Sequence, residues 1–279
     1  MIYMKFEDKV KGLREKKYKG RETEELLEDI KKMIDGEAYE YLLGEVLFCE
    51  AKVDLSLRPM IPRPETEFWV RQALDEIRVC ESKYTLRALD LFSGSGNIGL
   101  AILKNIPEAT VDMIELDPKL KEQIEISIVK NNIKRTRARI VTGDTWGDNQ
   151  EELQGDPLLA TRGPLVATRQ TLQGAVGTYD YIFAVPPYVP SEMKDEVTKE
   201  LKAEDPLSFF DKEDGFYYHK EVLARAKEFL KEDGVLYLEF DITQREKIEV
   251  LAKEYGFESA RFLKDPYGHE CAICLSKSF

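Results

Sequence analysis

From about residue 85 onward, short apolar runs alternate with segments of helical period. The runs are RALDLF, TVDMIEL, ARIVTG, YDYIFAV and GVLYLEF; LKEQIEISIVKNN and YYHKEVLARAKEFL are among the segments between them. Strands alternating with helices build a mostly parallel, doubly wound α/β sheet with helices on both faces, and ligands gather beyond the strand ends. Ahead of this region, residues 1 to about 40 read as short charged helices, with Leu26, Leu27, Ile30 and Ile34 forming one apolar stripe. YLLGEVLFCEAKVDLS alternates like a hairpin, and IPRPETEFWVRQALDEI offers a Pro-x-Pro stop and then a helix with Thr66 as its expected N-cap. The expected division is a helical unit over 1–45, a hairpin and linker over 46–68, and an α/β domain over 69–279.

One stretch breaks the rhythm. Pro157 to Tyr179 has no acid and no lysine in a chain that is 34% charged, and PLLATRG is followed closely by PLVATRQ. A connection between neighbouring strands is normally much shorter. An insertion over about 149–178 is therefore expected, either a surface loop or a lid or partner-binding arm.

Charge narrows the partners. With 41 Lys and Arg against 53 Asp and Glu, the net charge of −12 opposes general binding to a phosphate backbone. The first twenty residues carry seven basic and three acidic side chains, a basic tip that is either a solvated face or a docking surface. The four cysteines have no disulfide-framework spacing and suit a reducing cytoplasm. Cys271 and Cys274 lie in the strand-like run HECAICLSKSF, so no metal site is read there. No apolar stretch is long enough to span a membrane.

The chemistry gathers at strand ends. In LDLFSGSGNIGLAIL, Gly94, Gly96 and Gly99 follow a strand and open a helix, where a ligand can approach the backbone and free N–H groups. Glu115 closes the next strand, from which a carboxylate can take both hydroxyls of a ribose. The pair fits NAD as well as S-adenosylmethionine. Asp90 either bonds an ammonium group or holds the loop, and Phe92 is open between packing and contact with a ligand. Asp144 and Trp146 follow the third strand, on the edge where an adenine would lie, with Trp146 either a stacking platform or a packing residue. Pro186, Pro187 and Tyr188 then form a rigid elbow after the fourth strand. Its carbonyls can face a cleft, and its aromatic ring offers a flat surface to a planar nitrogen group.

That elbow resembles the Asn/Asp-Pro-Pro-Tyr signature of amino- and amide-nitrogen methyltransferases. Together with IPRPETE, EDPLSFFDKEDGFYYHKEVLARAKEFLKEDGVLYLEF and LKDPYGHECAICLSK, it resembles the HemK/PrmC family of release factor N5-glutamine methyltransferases from about residue 35 onward, the insertion apart. The resemblance implies a Rossmann-like S-adenosylmethionine methyltransferase sheet with a small helical N-terminal domain. It implies a cofactor site built from Asp90, Phe92, Ser93, Gly94, Ser95, Gly96, Glu115, Asp144 and Trp146. The implied target is the glutamine of a Gly-Gly-Gln loop in a peptide chain release factor, methylated at an elbow of Val185, Pro186, Pro187 and Tyr188 by a cytoplasmic monomer that docks its partner through the N-terminal helices.

Val185 departs from the pattern. The family places asparagine there, and its side-chain oxygen and the first proline's carbonyl accept the two amide hydrogens of the target. Valine has no acceptor, and a lost transition-state partner of this kind costs about 10²–10³ in rate unless another group substitutes. An impaired homologue that binds cofactor or release factor is the alternative reading.

Overall fold

The computed structural model describes residues 4–80, 85–146, 172, 175, 177–195 and 204–277. Three helices open the chain: α1 (Phe6–Tyr18), α2 (Glu24–Ile34) and α3 (Tyr39–Leu43). They enclose a small core of Leu13, Leu26, Met33, Tyr39 and Leu42. Inside it, Asp29 accepts from Lys17 Nζ at 2.6 Å and from the Tyr18 hydroxyl at 2.7 Å, which ties α1 to α2. The apolar stripe expected on α2 is narrower than the sequence suggests. Leu26 is buried and Ile30 packs beside it, but Leu27 and Ile34 are 66% and 67% exposed. Among the described residues α2 packs chiefly on α1 and α3, which cover one of its faces.

A hairpin of β1 (Glu45–Phe48) and β2 (Ala51–Asp54) follows, then α4 (Pro64–Cys80). Proline suits the first helical turn, where an N–H would have no partner, and the helix accordingly starts at Pro64. Thr66 is therefore not the N-cap the sequence suggested. It lies inside the first turn with its hydroxyl turned to another use.

The alternating region forms β3 (Arg87–Leu91), α5 (Asn97–Asn105), β4 (Thr110–Glu115), α6 (Pro118–Lys130), β5 (Ala138–Thr142), β6 (Tyr179–Ala184), α7 (Tyr217–Phe229), β7 (Leu230–Glu239), α8 (Arg245–Glu254), β8 (Ala260–Lys264) and β9 (Glu270–Ser276). Seven strands lie in the order β5-β4-β3-β6-β7-β9-β8. The first five in that order are parallel, and β9 runs against both of its neighbours. From β3 the chain moves outward through β4 and β5, then returns to β6 on the other side of β3. That reversal is the switch point at which such sheets open a crevice. The register aligns Leu91, Ala184 and Leu238 across β3, β6 and β7, so the segments after these strands emerge side by side.

Apolar residues fill both faces of the sheet. One face packs Trp69, Ile98, Phe183 and Tyr237; the other packs Trp146, Ile182, Phe229 and Leu238. Ser127 of α6 and Asn131, which caps its C-terminus, bond the backbone of β2 and fix the hairpin against the domain. Most of the expected insertion at 149–178 lies outside the described residues. Where it rejoins β6, Leu172 and Ala175 are buried, and the Gly177 and Thr178 amides bond the carbonyls of Glu228 and Phe229.

Gly12 of α1 is the contact point for α3. A methyl group added there would collide with the hydroxyl of Tyr39, itself buried. Gly12→Ala is expected to weaken the three-helix unit by about 1–3 kcal/mol through overpacking. Hydrogen exchange should quicken in α1–α3 and stay unchanged in the sheet; unchanged exchange in α1 would show that the contact relaxes freely.

Candidate active site at the switch point

The turn after β3 is built to leave one side open. Phe92 and Gly94 take positive φ values of 57° and 52°, and Gly96 one of 77° as it caps α5. A non-glycine residue in this region is strained, and such strain concentrates at working sites. A Cβ on Gly94 would meet only the Phe92 carbonyl, at 3.9 Å, so a ligand can approach the backbone here. Gly96 is closed instead, its missing Cβ lying against Ile124.

Two carboxylates brace this turn. Asp90 is 1% exposed and accepts the Gly99 N–H of α5 at 2.9 Å, which holds the loop against the helix. Burial, with Glu115 nearby, pushes its carboxyl up to about 7. Glu115 accepts the Gly94 N–H and the Asp117 N–H, each at 2.7 Å, and so stands directly beside the open glycine. Asp144, half-buried, orders the turn after β5 by accepting from the Trp146 N–H at 3.3 Å.

On the other side of the crevice the elbow is clamped at several points. Pro186 and Pro187 are buried, and no hydrogen bond to the Pro186 carbonyl exists among the described residues. Val189 exchanges backbone bonds with Phe209 and Asp211, each at 2.8 Å. Asp211, fully buried, accepts from the Gly215, Tyr217 and Tyr218 amides and anchors the start of α7. Tyr188 donates its hydroxyl to Glu239 Oε1 at 3.3 Å, while its carbonyl accepts from Gln244 at 3.3 Å. Burial raises its phenol well above the ordinary value, with Glu239 contributing. His219 packs nearby, its ring nitrogens 3.1 and 3.0 Å from the carbonyl oxygens of Gly215 and Glu239.

The PRPETE segment acts here too. Thr66 Oγ1 and Trp69 Nε1 donate to Glu239 Oε2 at 2.7 and 2.6 Å. Arg63 pairs with Glu204 at 2.8 Å, and Glu67 accepts from the Cys49 amide at 2.9 Å.

Among the residues expected from sequence, the structure brings Asp90, Ser93, Gly94, Ser95, Gly96 and Glu115 into one turn, and sets Phe92 beside Val185 at adjacent strand ends. Phe92 meets Tyr218 edge to face at 5.4 Å. Trp146 is not a stacking platform. It is 2% exposed, stacked on Phe229 at 4.8 Å, and its Nε1 donates to the Glu221 carbonyl at 3.1 Å. The end of β5 meets α7 there, and a ring sealed between them gains apolar burial. Sequence reasoning missed Thr66, Trp69, Tyr218 and Glu239. The available signal was a glutamate closing the otherwise apolar run VLYLEF, a charge placed where only a paired one is tolerated. Cys49, Cys271 and Cys274 are free thiols whose pKa values burial raises. No helix among the described residues is long and apolar enough to cross a membrane.

A parallel sheet reversing at β3, with a glycine turn on one side of the reversal and a Pro-Pro-Tyr elbow on the other, is a Rossmann-like α/β fold. No family model matches the chain. In sequence it is similar to the release factor glutamine methyltransferase of Thermodesulfovibrio yellowstonii, 28% identical over 89% of this chain and 80% of that one. The enzyme of the same name from Streptococcus pneumoniae is 26% identical over 91% and 80%. A 4-amino-L-phenylalanine/4-methylamino-L-phenylalanine methyltransferase of Streptomyces pristinaespiralis is 25% identical over 81% and 69%. The chain is thus a sequence relative of the release factor glutamine methyltransferases, as its motifs suggested.

Asp90 gives this site a pH signature. An unfolded aspartate ionises near its model value of 3.8, whereas the folded one holds its proton up to about 7. Ionising it in the fold therefore costs stability as pH rises through this window, up to roughly 4 kcal/mol at full ionisation, and the cost vanishes below it. Asp90→Asn keeps an oxygen for the Gly99 N–H but cannot ionise. Denaturant unfolding should show it gaining on the native chain between pH 5 and pH 8; a pH-independent difference would contradict the assignment.

Proposed function

We propose that this chain is an S-adenosylmethionine-dependent methyltransferase acting on the side-chain amide nitrogen of the glutamine in a release factor's Gly-Gly-Gln loop. The carrying observation is the Pro186-Pro187-Tyr188 elbow, whose Pro186 carbonyl accepts no hydrogen bond from the described residues, beside an open glycine turn in a relative of enzymes so named. Those names give no support to the alternative of a catalytically impaired binding homologue. The net charge of −12 supports a protein partner rather than nucleic acid, met by a monomer. Lys5, Lys11, Lys16 and Lys19, exposed on and beside α1, are the surface we assign to docking it.

The donor set fits the cofactor. Glu115 closes β4 with a carboxylate beside Gly94, suited to two ribose hydroxyls; Gly94 leaves room for close approach; Asp144 stands after β5, where an amino group of adenine can be met. When bound, S-adenosylmethionine supplies a methyl group on a positively charged sulfur. The Pro186 carbonyl accepts one N–H of the target carboxamide, and the Tyr188 ring supports its plane. An amide nitrogen is a poor nucleophile because its lone pair is delocalised. Acceptors that fix its hydrogens stabilise it most as positive charge develops there, and so lower the barrier rather than merely tighten binding.

Incubated with release factor and methyl-labelled donor, the chain should place label on the Gly-Gly-Gln glutamine, read by peptide mass spectrometry; label elsewhere, or none, would contradict the reading. Glu115→Gln should weaken S-adenosylmethionine binding about 10- to 100-fold by calorimetry, the range expected for hydrogen bonds to a charged group. Unchanged affinity would remove Glu115 from the cofactor site.

A further inference from the structure

The register beyond β6 answers the question that Val185 raises. Ala184 pairs with Leu238, so the next residues, Val185 just past β6 and Glu239 closing β7, stand side by side, about 5 Å apart as neighbouring strands are. They share a face: Val185 packs against the apolar cluster that contains Trp69, and Glu239 receives the Trp69 indole N–H. The two carboxylate oxygens of Glu239 are not equivalent. Oε2 takes short bonds from Thr66 and Trp69, at 2.7 and 2.6 Å. Oε1 faces the elbow and, among the described residues, takes one long bond, 3.3 Å from the Tyr188 hydroxyl. A carboxyl oxygen has more than one lone pair, so Oε1 retains accepting capacity on the side of the elbow.

We propose that Glu239 Oε1 accepts the second N–H of the target carboxamide, in place of the acceptor that Val185 lacks. Resting on the reading that the substrate is a glutamine side chain, this makes Glu239 a catalytic residue. Burial raises its pKa, and the donors Trp69, Thr66 and Tyr188 favour its ionised form; in that form its charge faces the nitrogen on which positive charge develops, and charge-assisted hydrogen bonds are about twice as strong as neutral ones. Oε2 is committed to the PRPETE helix and orients the group. The segment that marks the chain in sequence thus aims a carboxylate at the elbow.

Glutamine at this position makes a selective probe. The Trp69 indole N–H can only donate, so the amide oxygen of the variant must stay at the Oε2 position, and its NH₂ group must then face the elbow, where it cannot accept. Glu239→Gln should keep the native melting temperature and S-adenosylmethionine affinity while kcat falls about 10²–10³-fold, with KM for release factor little changed. Adding Val185→Asn should then restore most of the lost rate. Unchanged kcat in Glu239→Gln would overturn the proposal. So would a double variant as slow as Glu239→Gln alone, or a kcat loss accompanied by a fall in melting temperature that Val185→Asn does not repair. A native chain that is inactive, with Val185→Asn active, would retain the substrate reading and reject Glu239 as the substitute. If neither transfers methyl, the substrate reading fails and the proposal with it.

Discussion

One buried carboxylate ties three segments together on the elbow side of the crevice. Glu239 is 5% exposed and receives the Thr66 hydroxyl, the Trp69 indole and the Tyr188 hydroxyl. Removing a carboxylate from water is costly, and burial accordingly raises its pKa, against the three bonds, which lower it. Such a group persists in a fold when its donors are fixed, and here they arrive from the start of α4 and from the elbow after β6. The end of β7, the PRPETE helix and the Pro-Pro-Tyr turn therefore cannot shift independently.

The glycine-turn side is organised differently, by backbone. Its carboxylates, Asp90 and Glu115, accept main-chain N–H groups of the glycine turn and of the segment after β4. Phe92 and Gly94 are held in left-handed conformations, and the loop keeps its open side. One half of the crevice is thus shaped by main chain for close approach, the other by side chains for orientation. Their adjacency follows from the topology alone, since β3 and β6 are neighbours at the point where the strand order reverses.

The fold was legible in sequence wherever periodicity was strong: the five parallel strands, the hairpin and the helices between them lie where the apolar pattern puts them. The glycine turn and the elbow were legible because glycine and proline carry their backbone consequences locally. Long-range partners were not. Thr66 read as a helix cap because hydroxyls near helix starts usually are; its partner lies 173 residues away. Trp146 could not be assigned between platform and packing because nothing local reveals that Phe229 lies across from it. The exposed side of α2 was misread for a related reason, since the width of a buried stripe depends on how many neighbours a helix finds. IPRPETE was recognisable as a likeness, but its physical purpose appears only once Glu239 stands opposite it.

The chemistry assigned to the crevice is a matter of two acceptors for two amide hydrogens. Where the resembled signature has an asparagine, this chain has a valine, and we assign its part to Glu239 on the next strand. Among the relatives compared, one is named for an aromatic amine substrate and others for release factor glutamine. The most direct measurement is a crystal structure of the chain with S-adenosylhomocysteine and a peptide bearing the Gly-Gly-Gln loop. The target nitrogen should lie within hydrogen-bonding distance of both the Pro186 carbonyl and Glu239 Oε1, its carboxamide against Tyr188. A glutamine side chain seated away from the elbow, or one whose nitrogen turns from Glu239 toward solvent, would contradict the account.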